Sequence, residues 1–291
     1  MTSGFLIVDK PKGITSNQVV GEVRRAVGVK KVGHAGTLDP MATGAVVLAV
    51  GKVTRLVRYI QDQAKEYLAT ALFGVATDTL DADGAVLTRE PMEFASAELE
   101  GLVPRFTGTI SQVPPMVSAL KKDGRRLYDL AREGQVIERE ARQVKIHELE
   151  ILSVGAPPYP EVEFRVVCGK GTYVRSLADD MATMLGGNAH LTALRRTRIG
   201  SLKASNGVTI DDLANWRSYF LSPARALADL PAVSVDSEAV AGVRNGLQFV
   251  GGAIVTGPED IPYRVLGPDG DLVAIYRRLG ERARPEVVVP A

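Results

Sequence analysis

The sequence predicts an α+β fold, with a mixed, largely antiparallel sheet, helices packed on it, and a small β-rich domain at the end. Short apolar strands alternate irregularly with amphipathic helices, and several strands follow one another directly, which disfavours a doubly wound parallel sheet. After residues 223–231 the chain changes to short apolar segments separated by Gly, Pro and Asp turns. We therefore expect a domain boundary near Leu230, with residues 1–230 and 231–291 as the two domains.

The larger domain begins with elements that flank a bent loop. The apolar runs at residues 5–8 and 45–50 have the composition of buried strands. Between them, Ser16 can cap a helix that carries valines on one face and ends near Gly28. Further strands are predicted at residues 67–73, 144–152 and 161–168, helices at 96–106, 173–185 and 209–216, and a turn at 81–84. In the smaller domain, strands are predicted at residues 233–235, 254–256, 263–266 and 271–276.

The composition is typical of a soluble globular protein. Of the 291 residues, 45% are hydrophobic and 24% are charged, which is enough to bury a sizeable core. The sequence contains no apolar run of about 20 residues, so we expect no membrane span. The first residues lack the pattern of a secretory signal, and the single cysteine, Cys168, excludes an internal disulfide and fits a reducing compartment. We expect a cytoplasmic protein.

The charge distribution is more informative than the net charge of +1. Residues 165–176 and 190–205 contain several arginines and lysines and no acid, whereas acids collect between residues 78 and 100. One face of the protein is therefore expected to be basic and another acidic. Solvated surface charge explains any one of these clusters equally well, so the pattern favours a nucleic-acid partner only modestly.

The most informative stretch is residues 34–44, His-Ala-Gly-Thr-Leu-Asp-Pro-Met-Ala-Thr-Gly. Asp39 precedes a proline, which disfavours helical backbone, and Gly36 and Gly44 permit sharp bends on either side. A single carboxylate presented in this way suits a nucleophile or a general base. Taken alone, the pattern also fits an acid that only shapes or solvates a turn.

Other common chemistries find no support in the sequence. The three histidines and one cysteine are far apart and show no metal-ligand spacing. Residues 168–172 resemble a phosphate-binding loop only superficially, because position 164 is Phe and Gly171 separates Lys170 from Thr172. There is no Gly-x-Ser-x-Gly elbow and no dinucleotide fingerprint. We therefore expect chemistry centred on a carboxylate, with no cofactor and no metal.

Four residues could cooperate with Asp39. A guanidinium from Arg175 would favour the ionised carboxylate, although a surface arginine is the commoner explanation. Tyr67 could offer a flat face to a base, or it could be an ordinary core tyrosine. Leu194 could line an apolar pocket or belong to the core. His34 could contact phosphate or bases, or complete the hydrogen bonds of its own loop.

Several stretches together resemble the TruB family, the bacterial tRNA pseudouridine-55 synthases. The matching stretches are residues 9–16, 34–44, 65–67, 77–84, 118–121 and 168–177. They run in the family's order over roughly residues 5–200, and stretches 34–44 and 168–177 are highly specific.

The resemblance implies a catalytic core of the pseudouridine synthase type and isomerisation of uridine 55 in the T-loop of tRNA. The base is flipped out, detached from its ribose, turned and reattached through carbon, without metal or cofactor. Asp39 would be the nucleophile, acting on C1′, on C6 or as a base. Tyr67 would stack on the base, and Arg175 would pair with Asp39. Positions that would contact flipped-out nucleotides or line the pocket are His34, Tyr173 and Leu194.

The resemblance also bears on partners and on the smaller domain. Residues 231–291, which include Arg244-Asn-Gly246, resemble weakly the PUA-like RNA-binding domain that ends many of these enzymes. The expected partner is the T-arm of tRNA, bound by a monomer without a guide RNA. Two other classes remain open, an RNA-binding or tRNA-folding protein and a guide-RNA-dependent relative within a protein assembly.

Overall fold

The computed structural model describes residues 3–117, 121–122, 125–126 and 137–290. Residues 118–120, which form most of the fifth matching stretch, lie outside the described residues. In the part of the chain up to Thr209, the strands are β1 Gly4–Lys10, β2 Val32–His34, β3 Thr43–Val50, β4 Lys65–Phe73, β5 Val75–Thr77, β6 Val86–Arg89, β7 Gly108–Gln112, β8 Lys121–Lys122, β9 Arg125–Arg126, β10 Arg142–Val154, β11 Glu161–Cys168, β12 Ala189–Ile199, β13 Leu202–Lys203 and β14 Val208–Thr209.

The later strands and the helices complete the element order. The remaining strands are β15 Ala232–Ser234, β16 Phe249–Val250, β17 Pro262–Leu266, β18 Leu272–Leu279 and β19 Arg282–Val288. The α-helices are α1 Ser16–Val27, α2 Val57–Gln61, α3 Ser96–Leu102, α4 Val174–Met184, α5 Pro223–Ala226 and α6 Ser237–Arg244. Short 3-10 helices span Gly51–Leu56, Val103–Phe106, Ala204–Asn206, Leu213–Tyr219 and Ala253–Thr256.

A ten-stranded mixed sheet dominates the larger part of the chain. Its strands follow the order β14-β1-β3-β12-β4-β11-β10-β7, with β2 beside β3 and β13 beside β12. Most neighbours are antiparallel, and the parallel pairs are β12 with β3 and β1 with β14. A separate five-stranded sheet has the order β15-β17-β18-β19-β16. The predicted fold class, a mixed and largely antiparallel sheet followed by a small β-rich unit, is confirmed.

The two faces of the large sheet are covered by different elements. Alternate side chains of a strand point to opposite faces, so each strand contributes to two cores. On one face, residues of β1, β3 and β4 pack against the valines of α1 and the apolar side of α4. On the other, Phe5, Ile7 and Val47 pack in one cluster with Leu272 and Ile275 of the small sheet. The site described below lies on the face that α1 and α4 cover.

Polar contacts reinforce the packing between the two sheets. Arg264 on β17 donates three hydrogen bonds to the backbone around α5, at 2.9 Å to Ala224 O, 3.2 Å to Ala228 O and 3.0 Å to Leu230 O. The Tyr59 hydroxyl donates to Glu286 Oε2 at 2.6 Å. The small sheet is thus held to the large one by both apolar and polar contacts.

Three local predictions were wrong. Thr15, and not Ser16, caps α1, through a capping box with Gln18. The helix predicted at 209–216 starts only at Leu213 and is a 3-10 helix, because Thr209 is paired with β1 in the sheet. The strand predicted at 254–256 is a 3-10 helix, since three apolar residues in a row do not distinguish the two structures.

None of the helices in the described part of the chain has the length and apolar character that crossing a bilayer would need.

Candidate active site

Asp39 lies in the connection between β2 and β3, on a loop that buried neighbours hold in place. Leu38 and Met41 on either side of it are 4% and 2% exposed. The Ser16 hydroxyl accepts a hydrogen bond from Leu38 N at 2.8 Å and donates to Leu38 O at 3.1 Å. The Asp39 side chain is 35% exposed. The loop therefore presents one accessible carboxylate from a fixed backbone.

Arg175 forms an ion pair with Asp39. Its Nη2 lies 3.0 Å from Asp39 Oδ2, and the Arg175 side chain is 4% exposed. Arg175 lies in the first turn of α4, which begins three residues after Gly171, the last of the glycine-rich residues 169–171. Because the guanidinium is buried, water screens its charge less than it would at the surface. The fold thus gives Asp39 a fixed positive neighbour.

A second carboxylate, from Asp81, holds the same guanidinium. Arg175 Nη1 lies 3.2 Å from Asp81 Oδ2 and donates to Thr79 O at 2.7 Å. Asp81 is 5% exposed, and its Oδ1 accepts from the Thr79 hydroxyl at 2.6 Å. The sequence pattern predicts only a turn for residues 81–84. The signal that could have identified Asp81 is its place in the matching stretch 77–84.

Tyr67 and Leu194 lie on neighbouring strands and face the same side of the sheet as α4. Tyr67 on β4 is 9% exposed, and its cross-strand partner on β12 is Arg196. Burial raises the pKa of the Tyr67 phenol; the Asp39 charge adds to this, whereas Arg196 opposes it through its charge and a hydrogen bond. Leu194 is 6% exposed, is paired with Ala69 and lines a cleft of about 380 Å³.

His34 and Tyr173 flank the pair formed by Asp39 and Arg175. His34 ends β2, is partly exposed, and accepts a hydrogen bond at Nδ1 from Gly36 N at 3.3 Å. Tyr173 is the residue before α4, and its backbone N–H and C=O both bond to the Gln112 amide, at 2.8 and 3.1 Å. The structure places His34 on the loop that carries Asp39, and Tyr173 two residues before Arg175.

Two further buried cations lie beneath the loop, and the sequence analysis did not single them out. Lys10 is 1% exposed and donates to three backbone carbonyls, among them Pro40 O at 3.2 Å. Burial lowers the pKa of Lys10 to about 8, and the nearby Asp39 charge acts in the opposite direction. Arg196 is also 1% exposed and donates to carbonyls on both sides of Asp39. The carboxylate is therefore surrounded by positive charge.

All five arginines of the two acid-free stretches are buried or paired, so they do not form a free basic strip. Arg175 and Arg196 are buried, and the other three form ion pairs with acids of other strands in the same sheet. These pairs are Arg165 with Glu66, Glu148 and Glu150, Arg195 with Asp9, and Arg198 with Glu66.

Across the described ranges, no group of three or more His, Cys, Asp or Glu side chains could hold a metal ion. The chemistry that these residues can perform is that of an accessible carboxylate beside a buried cation, a phenol and an apolar side chain.

We expect Gly44→Ala to destabilise the loop strongly. Gly44 has φ +105°, and a Cβ there would lie 2.2 Å from Arg196 O. Strain and overpacking together should lower the free energy of unfolding by about 3 kcal/mol, measured by urea denaturation. Gly13→Ala is the matched control, since Gly13 also has positive φ but open space around it. Its loss should be only about 1 kcal/mol. Equal losses would contradict the close contact at Gly44.

The mixed sheet carries a loop aspartate paired with a buried arginine, and comparison with family models identifies the class of protein as a pseudouridine synthase. The model of the "TruB family pseudouridylate synthase (N terminal domain)" matches residues 24–174. The model of the "tRNA pseudouridylate synthase B C-terminal domain" matches residues 175–227. The chain belongs to the TruB family of pseudouridylate synthases, and it is accordingly an isomerase.

Relatives and solved structures agree with this assignment. A tRNA pseudouridine synthase B of Moorella thermoacetica is 42% identical over 287 residues, covering 95% of this chain and 94% of the relative. The tRNA pseudouridine synthase B of Symbiobacterium thermophilum is 46% identical over 245 residues, covering 84% of this chain and 82% of the relative. A crystal structure of a Cbf5–Nop10–Gar1 complex matches with a TM-score of 0.77 and 26% identity, covering 99% of this chain and 85% of the other. A structure of an H/ACA RNP bound to a substrate RNA containing 2′-deoxyuridine matches with a TM-score of 0.75 and 25% identity. The match covers 99% of this chain and 85% of the other.

Proposed function

We propose that the protein isomerises uridine 55 in the T-loop of tRNA to pseudouridine, with Asp39 as the nucleophile and without metal or cofactor. The observation that carries the proposal is the 3.0 Å ion pair between the accessible Asp39 and the buried Arg175. The relatives named tRNA pseudouridine synthase B support the choice of tRNA, because they match nearly the whole chain at 42% and most of it at 46% identity.

The proposed reaction is an isomerisation without a redox step. It needs a nucleophilic carboxylate in a protected site. The C1′–N1 bond breaks, the uracil turns, C5 bonds to C1′, the C5 proton leaves to solvent and N1 gains a proton. Asp39 supplies the electron pair that attacks C1′ or C6, and the bond so formed breaks again, returning that pair to Asp39, as the isomerised nucleotide is completed. Arg175 orients that carboxylate through the ion pair, and the surrounding cations Lys10 and Arg196 stabilise negative charge that develops on the base.

The target uridine must leave its stack before Asp39 can reach it. Flipping a nucleotide costs a few kcal/mol, which stacking and pocket contacts offset. The Tyr67 ring gives the base a stacking surface, and Leu194 supplies an apolar contact beside it. His34 and Tyr173 are partly exposed at the rim and would contact the nucleotide or its flipped neighbours.

The proposal extends to the organisation of the protein. Residues 1–230 would form the catalytic domain, and residues 231–291 would form a PUA-like domain held against it. The protein would act as a cytoplasmic monomer on free tRNA, without a guide RNA. The relatives' names support the choice of tRNA as the partner.

The test is release of tritium by purified protein from unmodified tRNA whose uridines carry tritium at C5. We expect one tritium per tRNA, and none from a tRNA in which cytidine replaces uridine 55. Tight tRNA binding without any release would favour the binding-only class. Release that persists with cytidine at position 55 would exclude this target.

Asp81→Asn tests whether the second carboxylate orients Arg175. Loss of the Asp81 charge should let the Arg175 guanidinium move. We expect kcat to fall by roughly 10- to 100-fold, because small displacements of groups in an active site slow the reaction strongly. The Kd for tRNA should not change, because Asp81 is buried. Asp83→Asn in the same turn is the control, as Asp83 makes no ion pair in the described residues. Unchanged kcat in Asp81→Asn would show that Arg175 is oriented without the Asp81 charge.

A further inference from the structure

We propose that Arg196 is a positioning residue that fixes both ends of the loop carrying Asp39. The inference rests on the proposed function, because it assigns a role within the same site.

One guanidinium spans the whole loop. Arg196 Nη2 donates to Gly36 O at 3.2 Å and Nη1 to Thr37 O at 3.2 Å, both before Asp39. Its Nε donates to Ala45 O at 2.7 Å, beyond the other end of the loop. Because the guanidinium is planar and rigid, these three bonds fix the two ends of the loop relative to each other.

The backbone of Arg196 meets the loop as closely as its side chain does. Arg196 is the parallel cross-strand partner of Gly44, where β3 begins. A Cβ at position 44 would come within 2.2 Å of Arg196 O. The strand β12 therefore contacts the loop by main chain and by side chain at once.

The same arginine lies beside Tyr67. The two residues are cross-strand partners on β12 and β4, so their side chains lie on the same face of the sheet. The positive charge of Arg196 opposes the rise that burial causes in the pKa of the Tyr67 phenol. Arg196 therefore contributes to the surroundings of Tyr67 as well as to the loop.

The charge of Arg196 is balanced in an unusual way. None of the ion pairs formed by the described residues includes it, so backbone carbonyls solvate this 1% exposed cation. Burying a cation without a carboxylate partner is costly. A lysine would supply the same charge but not three coplanar donors, so the geometry, and not the charge alone, distinguishes arginine here.

The experiment compares Arg196→Lys with Arg264→Lys. Arg264 also donates to three backbone carbonyls, but in the small sheet and away from Asp39. Both variants should lose stability, whereas only Arg196→Lys should lower kcat, by about 100-fold, with the KM for tRNA unchanged. Wild-type kcat in Arg196→Lys, or an equal kcat loss in Arg264→Lys, would overturn the proposal. Arg196→Gln, which buries no charge, replaces the lysine variant if that does not fold, with the same expected loss.

A second measurement separates this proposal from the proposed function. Amide hydrogen exchange of residues 36–45 is followed in the free protein, without tRNA. We expect faster exchange in Arg196→Lys and unchanged exchange in Arg264→Lys. Unchanged exchange in both would overturn the positioning role, whatever the wild type does with tRNA. Wild-type protein that releases no tritium would instead contradict the proposed function, while the exchange result still decides the role of Arg196.

Discussion

Asp39→Asn should reduce pseudouridine formation by about 10⁴-fold or more, since removing a nucleophile commonly has effects of that size. Asparagine has nearly the same shape but no charge, so the loop should keep its structure. Arg175 retains the Asp81 ion pair and its carbonyl contacts. The Kd for tRNA should therefore stay near the wild-type value. Steady-state tritium release measures the rate of pseudouridine formation, and a tRNA-binding titration measures the Kd.

The matched control for Asp39→Asn is Asp269→Asn. Asp269 is an exposed acid in the turn between β17 and β18 of the small sheet. Its replacement makes the same chemical change away from the site, and kcat should not change. Tritium release by Asp39→Asn at the wild-type rate would remove Asp39 from the mechanism.

Arg175→Ala should have the second largest effect and act on both activity and stability. Loss of a buried cation beside the reacting carboxylate should lower kcat by roughly 10²- to 10³-fold. The 5% exposed Asp81 would lose its counter-charge, which should cost about 3–5 kcal/mol of unfolding free energy. Turnover should fall more than tRNA affinity. Equal loss of both would identify Arg175 as a phosphate contact.

A double variant separates the two consequences of losing Arg175. Arg175→Met with Asp81→Asn removes both charges and leaves no unpaired carboxylate at position 81. Urea denaturation should show recovery of most of the lost stability. The kcat should stay low, because Asp39 still lacks its ion pair with Arg175. Recovery of kcat together with stability would mean that Arg175 serves the fold alone.

Much of the fold could be predicted because local patterns determine it. The strand at residues 161–168 and the helix beginning near Tyr173 were placed within a residue of β11 and α4, since hydrophobic periodicity and a glycine-rich boundary define them. The loop around Asp39 was identified for the same reason, as its glycines and proline act locally.

The parts that could not be predicted depend on residues distant in sequence. Arg165 looked free in an acid-free stretch, yet β10 and β4 bring three glutamates to it. Asp81 looked like part of a turn, and only α4, more than 90 residues later, makes it a partner of Arg175. Arg196 looked like one of a basic run, and only its pairing with β3 places its guanidinium beneath the loop. Such pairings arise from the sheet order, which local patterns do not specify.

The most direct test of the central claim is a single-turnover measurement with protein in excess over tRNA that carries tritium only at C5 of uridine 55. Binding is complete under these conditions, so the rate of tritium release reports the chemical step alone. The account predicts full release by the wild type and essentially none by Asp39→Asn, with both proteins folded and bound. Release of all the tritium by Asp39→Asn, even after a lag, would contradict the account.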